Sequence, residues 1–211
     1  MQVKRDLAPM AKPTNRKQEN ADATRQALVR AGFRIFGRDG FAAAGVGAIC
    51  AAAGVTTGAL YHHFGDKTGL FAAVAEDVEH QLAATAARAA AAEADPWRGL
   101  LAGAEATLAA SQRRELRRIT LEDAPSVLGS ARWREIRRRA GLGYLKEALT
   151  ALQRRGLVEA GDPEMMASLV IGLLIGAAET IADLPEDAAR PATVSRLVAR
   201  MLGPLRRDSG A

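Results

Sequence analysis

The sequence of 211 residues is 48% apolar and 25% charged, which is enough apolar matter for a sizeable core and excludes a disordered chain. Its one cysteine, Cys50, excludes an intramolecular disulfide, and its longest strongly apolar run, 165–178, is short of a membrane span. The net charge of +5 is unevenly spread: residues 1–38 carry nine bases against three acids, 39–82 one against five, and 112–157 twelve against five.

Abundant Ala, Leu and Arg with few β-branched runs predict an all-helical fold. Residues 1–21, with Lys4, Arg5, Pro9, Lys12, Pro13, Arg16 and Lys17, predict a flexible basic arm without the apolar core of a signal peptide, so a cytoplasmic location is expected. A helix is predicted from about Ala23 to Arg38. Leu28, Ala31, Ile35 and Phe36 line its inner face, Arg30, Arg34 and Arg38 its outer one, and Asp39-Gly40 stops it.

The stretch 45–64, GVGAICAAAGVTTGALYHHF, carries the most information. Val46, Ile49, Cys50 and Ala53 recur at helical spacing on one face. Gly54 ends that helix, since a residue without Cβ takes the left-handed backbone of a tight turn. Thr56 is placed to cap a second helix, in which Leu60 and Phe64 face inward while Thr57, Gly58, Tyr61 and His62 face outward. A helix–turn–helix with a small, polar and aromatic outer face suits the major groove of DNA.

Asp66 caps a long Ala-rich helix from about Lys67 to Ala94, which Asp95-Pro96 breaks. Further helices are predicted over 97–111, 113–122 and 131–155, the last weakened by Gly141 and Gly143, with a loop or short turn over 123–129. Asp162-Pro163 starts a helix to about Ala182, and Pro191 another to about Arg206.

In chain order, Phe33, Phe36, Gly40-Phe41, Val46, Ile49, Ala53-Gly54-Val55, Gly58, Leu60-Tyr61-His62-His63-Phe64, Lys67 and Leu70-Phe71 resemble the TetR family of transcriptional regulators over about residues 23–75. The resemblance implies a homodimer with a DNA-binding domain, here 22–82 after the arm of 1–21, and a ligand-sensing and dimerising domain, here 83–211. It implies that the protein binds double-stranded operator DNA and releases it when a small-molecule effector binds. The positions matching the family's DNA contacts are Thr57 and Gly58 at the start of the reading helix, and Tyr61, His62 and His63 beside phosphates. Thr56 and Val46 belong to the same surface, and Lys67 adds a cation at a helix N-terminus. Two departures stand out. Ala44-Gly45 replaces a common Thr or Ser, so a hydroxyl contact or cap is missing, and Thr57 stands where a base is frequent. Arg25 is a candidate to compensate.

Ser168, Gly172, Gly176 and Thr180 form a small-residue stripe, read as dimer interface or as intramolecular core. Glu179 beside it is open between a cross-interface pair, the ligand pocket and solvent. Trp97, Trp133 and Tyr144 are candidate pocket walls or core. The arginines 113, 114, 117, 118, 132, 134 and 137–139 read as a solvated face or an anion-attracting cluster. His80 with Asp77 and Glu79 reads as a solvated helix face, and Cys50 as a small buried apolar residue.

No cofactor, metal site or catalytic residue is expected. The chain lacks G-x-S-x-G, H-E-x-x-H and a phosphate-binding glycine loop, and adjacent His62 and His63 point apart with no third ligand at metal spacing. The resemblance to the TetR family makes a ligand-responsive repressor the leading expectation. An activator of the same family and a helical ligand-binding dimer that does not read DNA are the alternatives.

Overall fold

A computed structural model describes residues 13–183 and 190–207. These form α1 (Pro13–Ala43), α2 (Val46–Ala53), α3 (Thr57–Phe64), α4 (Lys67–Ala91), α5 (Pro96–Ser111), α6 (Arg114–Arg117), a π-helical turn (Arg118–Asp123), α7 (Ala124–Leu128), α8 (Ser130–Arg154), α9 (Pro163–Asp183) and α10 (Arg190–Leu202). Among the described residues there is no strand beyond an isolated bridge between Val158 and Arg206.

The local signals of the helix–turn–helix act as expected. Gly54 adopts φ +69°, and its N–H closes α2 onto the Ala51 and Cys50 carbonyls. The Thr56 hydroxyl accepts from Ala59 N at 3.3 Å, and Asp66 caps α4 by accepting from Gly69 N at 2.6 Å. Gly45 caps α2 with no side-chain bond, the consequence of the missing hydroxyl.

Elsewhere the elements differ from expectation. Residues 13–21, expected as part of a flexible arm, form the first turns of α1. Nothing between Pro13 and Gly40 interrupts a helix, and Gln18 bonds Asp22 at i+4 spacing. The rest of the arm, 1–12, lies outside the described residues. The helix breaks at Gly40, φ +80°, as its sequence suggests. The segment 123–129, expected as a loop or short turn, is the end of the π turn and the short helix α7, because Pro125 sits in a first turn, where its missing N–H costs no bond. Gly141 and Gly143 leave α8 as one helix. Pro204 falls in a terminal 3-10 turn, so α10 stops at Leu202.

Two cores result. The first gathers Leu28, Ile35, Phe36, Ile49, Cys50, Leu60, Leu70, Phe71 and Val74 from α1–α4, and adds Leu116, Ile119 and Trp133 from later elements. The second gathers Leu100, Leu108, Leu145, Leu149, Val170 and Val198. The boundary expected at residue 82 falls inside α4, whose first half lies in the first core. α5 packs closely on α4 because Gly99 and Gly103 keep side chains off the Ala90 and Ala86 carbonyls, which lie 2.9 and 3.1 Å from where a Cβ would stand. α9 has the length and mean hydropathy, 1.9, of a membrane span, yet it buries Ala167, Val170, Ala177 and Ala178 against the bundle.

Candidate nucleic-acid interface and internal cavity

α3 is anchored by Leu60, which is fully buried, and by Phe64 at the edge of the first core. That anchoring turns Thr57, Gly58 and Tyr61 outward, with Tyr61 52% exposed, and Thr56 and His62 are exposed beside them. A side chain at Gly58 would meet only the Thr56 hydroxyl, at 3.8 Å, so the backbone there is open to a large partner. Arg25 is exposed on α1 with its guanidinium 5.5 Å from the Phe64 ring centroid, at the back of α3. The exposed Arg30, Arg34 and Arg38 line the outer side of α1, as its period predicts.

Three of the expected interface residues are differently employed. Val46 is half-buried and packs on the first core, since α2 turns its apolar face inward. His63, one position past His62, is rotated about 100° from it. It is half-buried and lines a crevice with Arg25, Phe64, Glu76, Arg132 and Glu135. Lys67 does not offer a free cation: its ammonium donates to the Ala42 carbonyl at 3.3 Å and lies 4.5 Å from the Phe41 ring centroid.

Phe41 is the node that joins the helix–turn–helix to the rest. Its ring packs on Phe36 and Phe71, and its N–H donates to Asp123 Oδ2 at 2.7 Å. The Arg118 guanidinium lies against Gly40, and Glu115 lies against Gly37, where a Cβ would come within 2.7 Å of it. α6 and the π turn thus grip the end of α1, although no local sequence signal marks the π turn. Asp123→Ala should lower the unfolding free energy by about 1–2 kcal/mol through the orphaned Phe41 N–H. Asp123→Asn, whose amide oxygen still accepts, should lower it far less, and urea unfolding of the pair checks this.

A cavity of about 470 Å³ lies between α4, α5, α8 and α9. Its walls are mainly small and aliphatic, with Ala83, Ala86, Ala90, Ala148, Leu100 and Leu174 among them. Of the three expected wall residues only Tyr144 lines it, and burial raises its phenol pKa. Trp97 is buried in the second core and Trp133 in the first. Large aromatics fill cores first, and the many alanines and glycines in these walls leave space between the helices.

At the inner end of the cavity Arg137 Nε donates to Glu79 Oε1 at 3.3 Å and Nη2 to the Thr120 carbonyl at 3.2 Å, while its guanidinium lies 4.6 Å from the Trp133 ring centroid. Glu79 is therefore turned inward, away from the solvated face of Asp77 and His80 on which its sequence neighbours place it. Burial raises its carboxyl pKa, and the Arg137 charge opposes that rise. The remaining arginines do not form one cationic patch. Arg138 and Arg139 both bond Glu135 and hold its carboxyl down at about 2, and Arg117 and Arg118 face Glu122. Among the described residues no cluster of His, Cys, Asp and Glu is placed to hold a metal.

On α9, Ser168, Gly172, Gly176, Glu179 and Thr180 are all exposed, so the stripe is not intramolecular core. Glu179 reaches neither the cavity nor a basic partner among the described residues. Met165 and Leu169 on the same helix are 64% and 70% exposed, and Leu197 and Met201 on α10 are 51% and 63% exposed.

Comparison with known proteins bears on what this arrangement does. Residues 28–74 match the family model described as bacterial regulatory proteins of the tetR family, and residues 97–205 match the tetracyclin repressor-like C-terminal domain. The transcriptional regulator AcrR of Shigella flexneri is 45% identical over 67 residues, 32% of this chain and 30% of that protein. The transcriptional repressor AcnR of Corynebacterium glutamicum is 39% identical over 66 residues, 31% of each chain. These matches thus span about a third of the curated relatives' length. A TetR-family regulator from Pectobacterium atrosepticum superposes with a TM-score of 0.77 at 31% identity, covering 90% of this chain and 98% of that one.

Proposed function

The chain belongs to the TetR family of transcriptional regulators, and on that premise we propose that it is a ligand-responsive repressor. It works as a homodimer in the cytoplasm, reading an operator through α3 and sensing an effector in the cavity between α4 and α9. The observation that carries the reading is the outward face of Thr56, Thr57, Gly58, Tyr61 and His62 on a helix whose other side is locked by buried Leu60. Thr57 and Gly58 stand at the helix start, where base edges are met, and Tyr61 and His62 stand where phosphates run.

Effector release follows from geometry. The two α3 helices of a dimer must enter major grooves one helical turn apart, roughly 34–36 Å. The cavity volume is within the usual range for small-molecule sites, and its walls include the second half of α4, whose first half carries the helix–turn–helix. A ligand that fits the cavity better when α4 is tilted shifts the protein toward a spacing that the operator does not accept, by no more than its difference in affinity for the two states. The π turn gives a second link, since Thr120 and Leu121 line the cavity while Asp123 bonds Phe41.

Fluorescence anisotropy with duplex DNA from upstream of the protein's own gene tests the reading, under salt titration and with unrelated competitor DNA. Saturable, competitor-resistant binding is expected. Tyr61→Ala should weaken it about tenfold on matched and mismatched operators alike, because the lost contact is to phosphate, and should leave the dimer intact. Unchanged affinity in that variant would refute the contact. Binding that salt and competitor erase would refute the operator reading for that sequence.

A further inference from the structure

The cavity runs along its helices rather than across them. Gly99, Gly103, Thr107 and Ser111 line it at every fourth position of α5, and α4 lines it from Glu79 to Ala91. At about 1.5 Å per residue each of these walls is about 18 Å long, which is room for an extended chain of about fourteen carbons at roughly 1.25 Å per bond. The Thr107, Ser111 and Thr120 hydroxyls are turned back onto the Gly103, Leu108 and Leu116 carbonyls, at 2.8–2.9 Å. Tyr144 apart, the walls between the two ends therefore offer a guest little but apolar contact.

The ends differ in charge. The charged side chains of the lining are Glu79, Arg137 and Arg155. At the inner end Glu79 accepts from Nε of the Arg137 guanidinium and the Thr120 carbonyl accepts from Nη2. An anion on the remaining edge would leave one net negative charge in a buried site walled by alanine and leucine. From that pair both helices run on along the cavity, α4 to Ala91 and α8 to its C-cap, Arg155. There Ala91, Ala151 and Arg155 are exposed, so this end meets solvent. Among the described residues no acid pairs with Arg155. An anion at Arg155 gains a counter-charge and keeps water on its outer side, while a tail attached to it enters the apolar channel. One guanidinium balances one charge, which suits a carboxylate rather than a doubly charged phosphate monoester.

We propose that the effector is a linear amphiphile with one carboxylate, its apolar tail laid between α4, α5 and α8 and its head at Arg155. The proposal rests on the reading of this cavity as the effector site and names the class of molecule that it takes. Its test is calorimetric titration of the full chain, near neutral pH and below micelle-forming concentrations, with octanoate, dodecanoate and dodecyltrimethylammonium. Dodecanoate should bind at least about tenfold more tightly than octanoate, since each buried methylene is worth about fourfold. It should bind at least about fivefold more tightly than the ammonium of the same tail. Arg155→Glu should reverse the order of the two head groups. Arg154→Glu makes the same change of charge one residue away, outside the lining, and should leave the order as it is. Equal binding of the two head groups, no binding of dodecanoate, an order that survives Arg155→Glu, or a reversal by Arg154→Glu would each overturn the proposal and leave the cavity as the effector site. Dodecanoate held through Arg155 should also release operator DNA in the anisotropy assay. Binding that leaves operator affinity unchanged would instead overturn the effector reading of the cavity, and the effector class with it.

Discussion

Arg137→Met should lower the unfolding free energy by about 3–5 kcal/mol near neutral pH, because the change removes one partner of a buried ion pair and strands the other. Arg137 is 9% exposed and the Glu79 side chain 15% exposed, so neither recovers its hydration when the pair is broken. The Thr120 carbonyl loses its donor in the same change. The loss should depend on pH. Burial already raises the Glu79 pKa, and without the opposing Arg137 charge it rises further. A carboxyl whose folded-state pKa stands above its unfolded value contributes stability that is present below the unfolded value and is lost as pH rises through the folded one. The variant should therefore regain stability as pH falls from about 8 toward the ordinary Glu value of about 4.3. Adding Glu79→Leu removes the stranded charge and should restore most of the loss at all pH values. Urea unfolding of both variants at fixed protein concentration reads these effects. A single variant that costs under about 1 kcal/mol would mean that the pair is hydrated.

That pair also shows where sequence reading ends. The turn at Gly54 and the caps at Thr56 and Asp66 were legible because each signal acts within four residues of itself. Glu79 was not, since its inward turn is set by a partner 58 residues away while Asp77 and His80 beside it face water. Arg137 was hidden among arginines of identical chemistry, and only the phase of α8 separates it from exposed Arg138 and Arg139. The π turn was read as ordinary helix, and α7 as a loop or short turn because Pro125 is as compatible with a helix start as with a break. Of the aromatics expected to line the pocket, Tyr144 does and Trp97 and Trp133 do not, and the alanines that make up much of its wall carry no signal of their own.

Leu169→Glu should divide the homodimer and lower operator affinity by about two orders of magnitude or more, since each half-site would then bind without the effective concentration that its linked twin supplies. α9 is the most apolar long helix of the chain, yet only 22% of its most hydropathic window is buried within one copy. Its inner side is already committed to the bundle through Ala167, Val170, Ala177 and Ala178. Its outer side pairs the exposed Met165 and Leu169 with a floor of Gly172 and Gly176, where added Cβ atoms would meet nothing within 4 Å. The Ser168 and Thr180 hydroxyls along that floor are bonded to the Glu164 and Gly176 carbonyls, so they ask little of a partner. Leu197 and Met201 of α10 are likewise exposed apolar side chains. Large side chains beside a small-residue floor are self-complementary, which a two-fold axis requires, and a substitution on such an axis acts twice. Two glutamates would face each other or their neighbours across a dry contact, whereas each monomer keeps its fold because Leu169 supports neither core. Sedimentation velocity and operator anisotropy on the same preparation read both effects. A variant that stays dimeric at micromolar concentration would move the interface off this face. A variant that becomes monomeric without losing operator affinity would refute the coupling of dimerisation to reading.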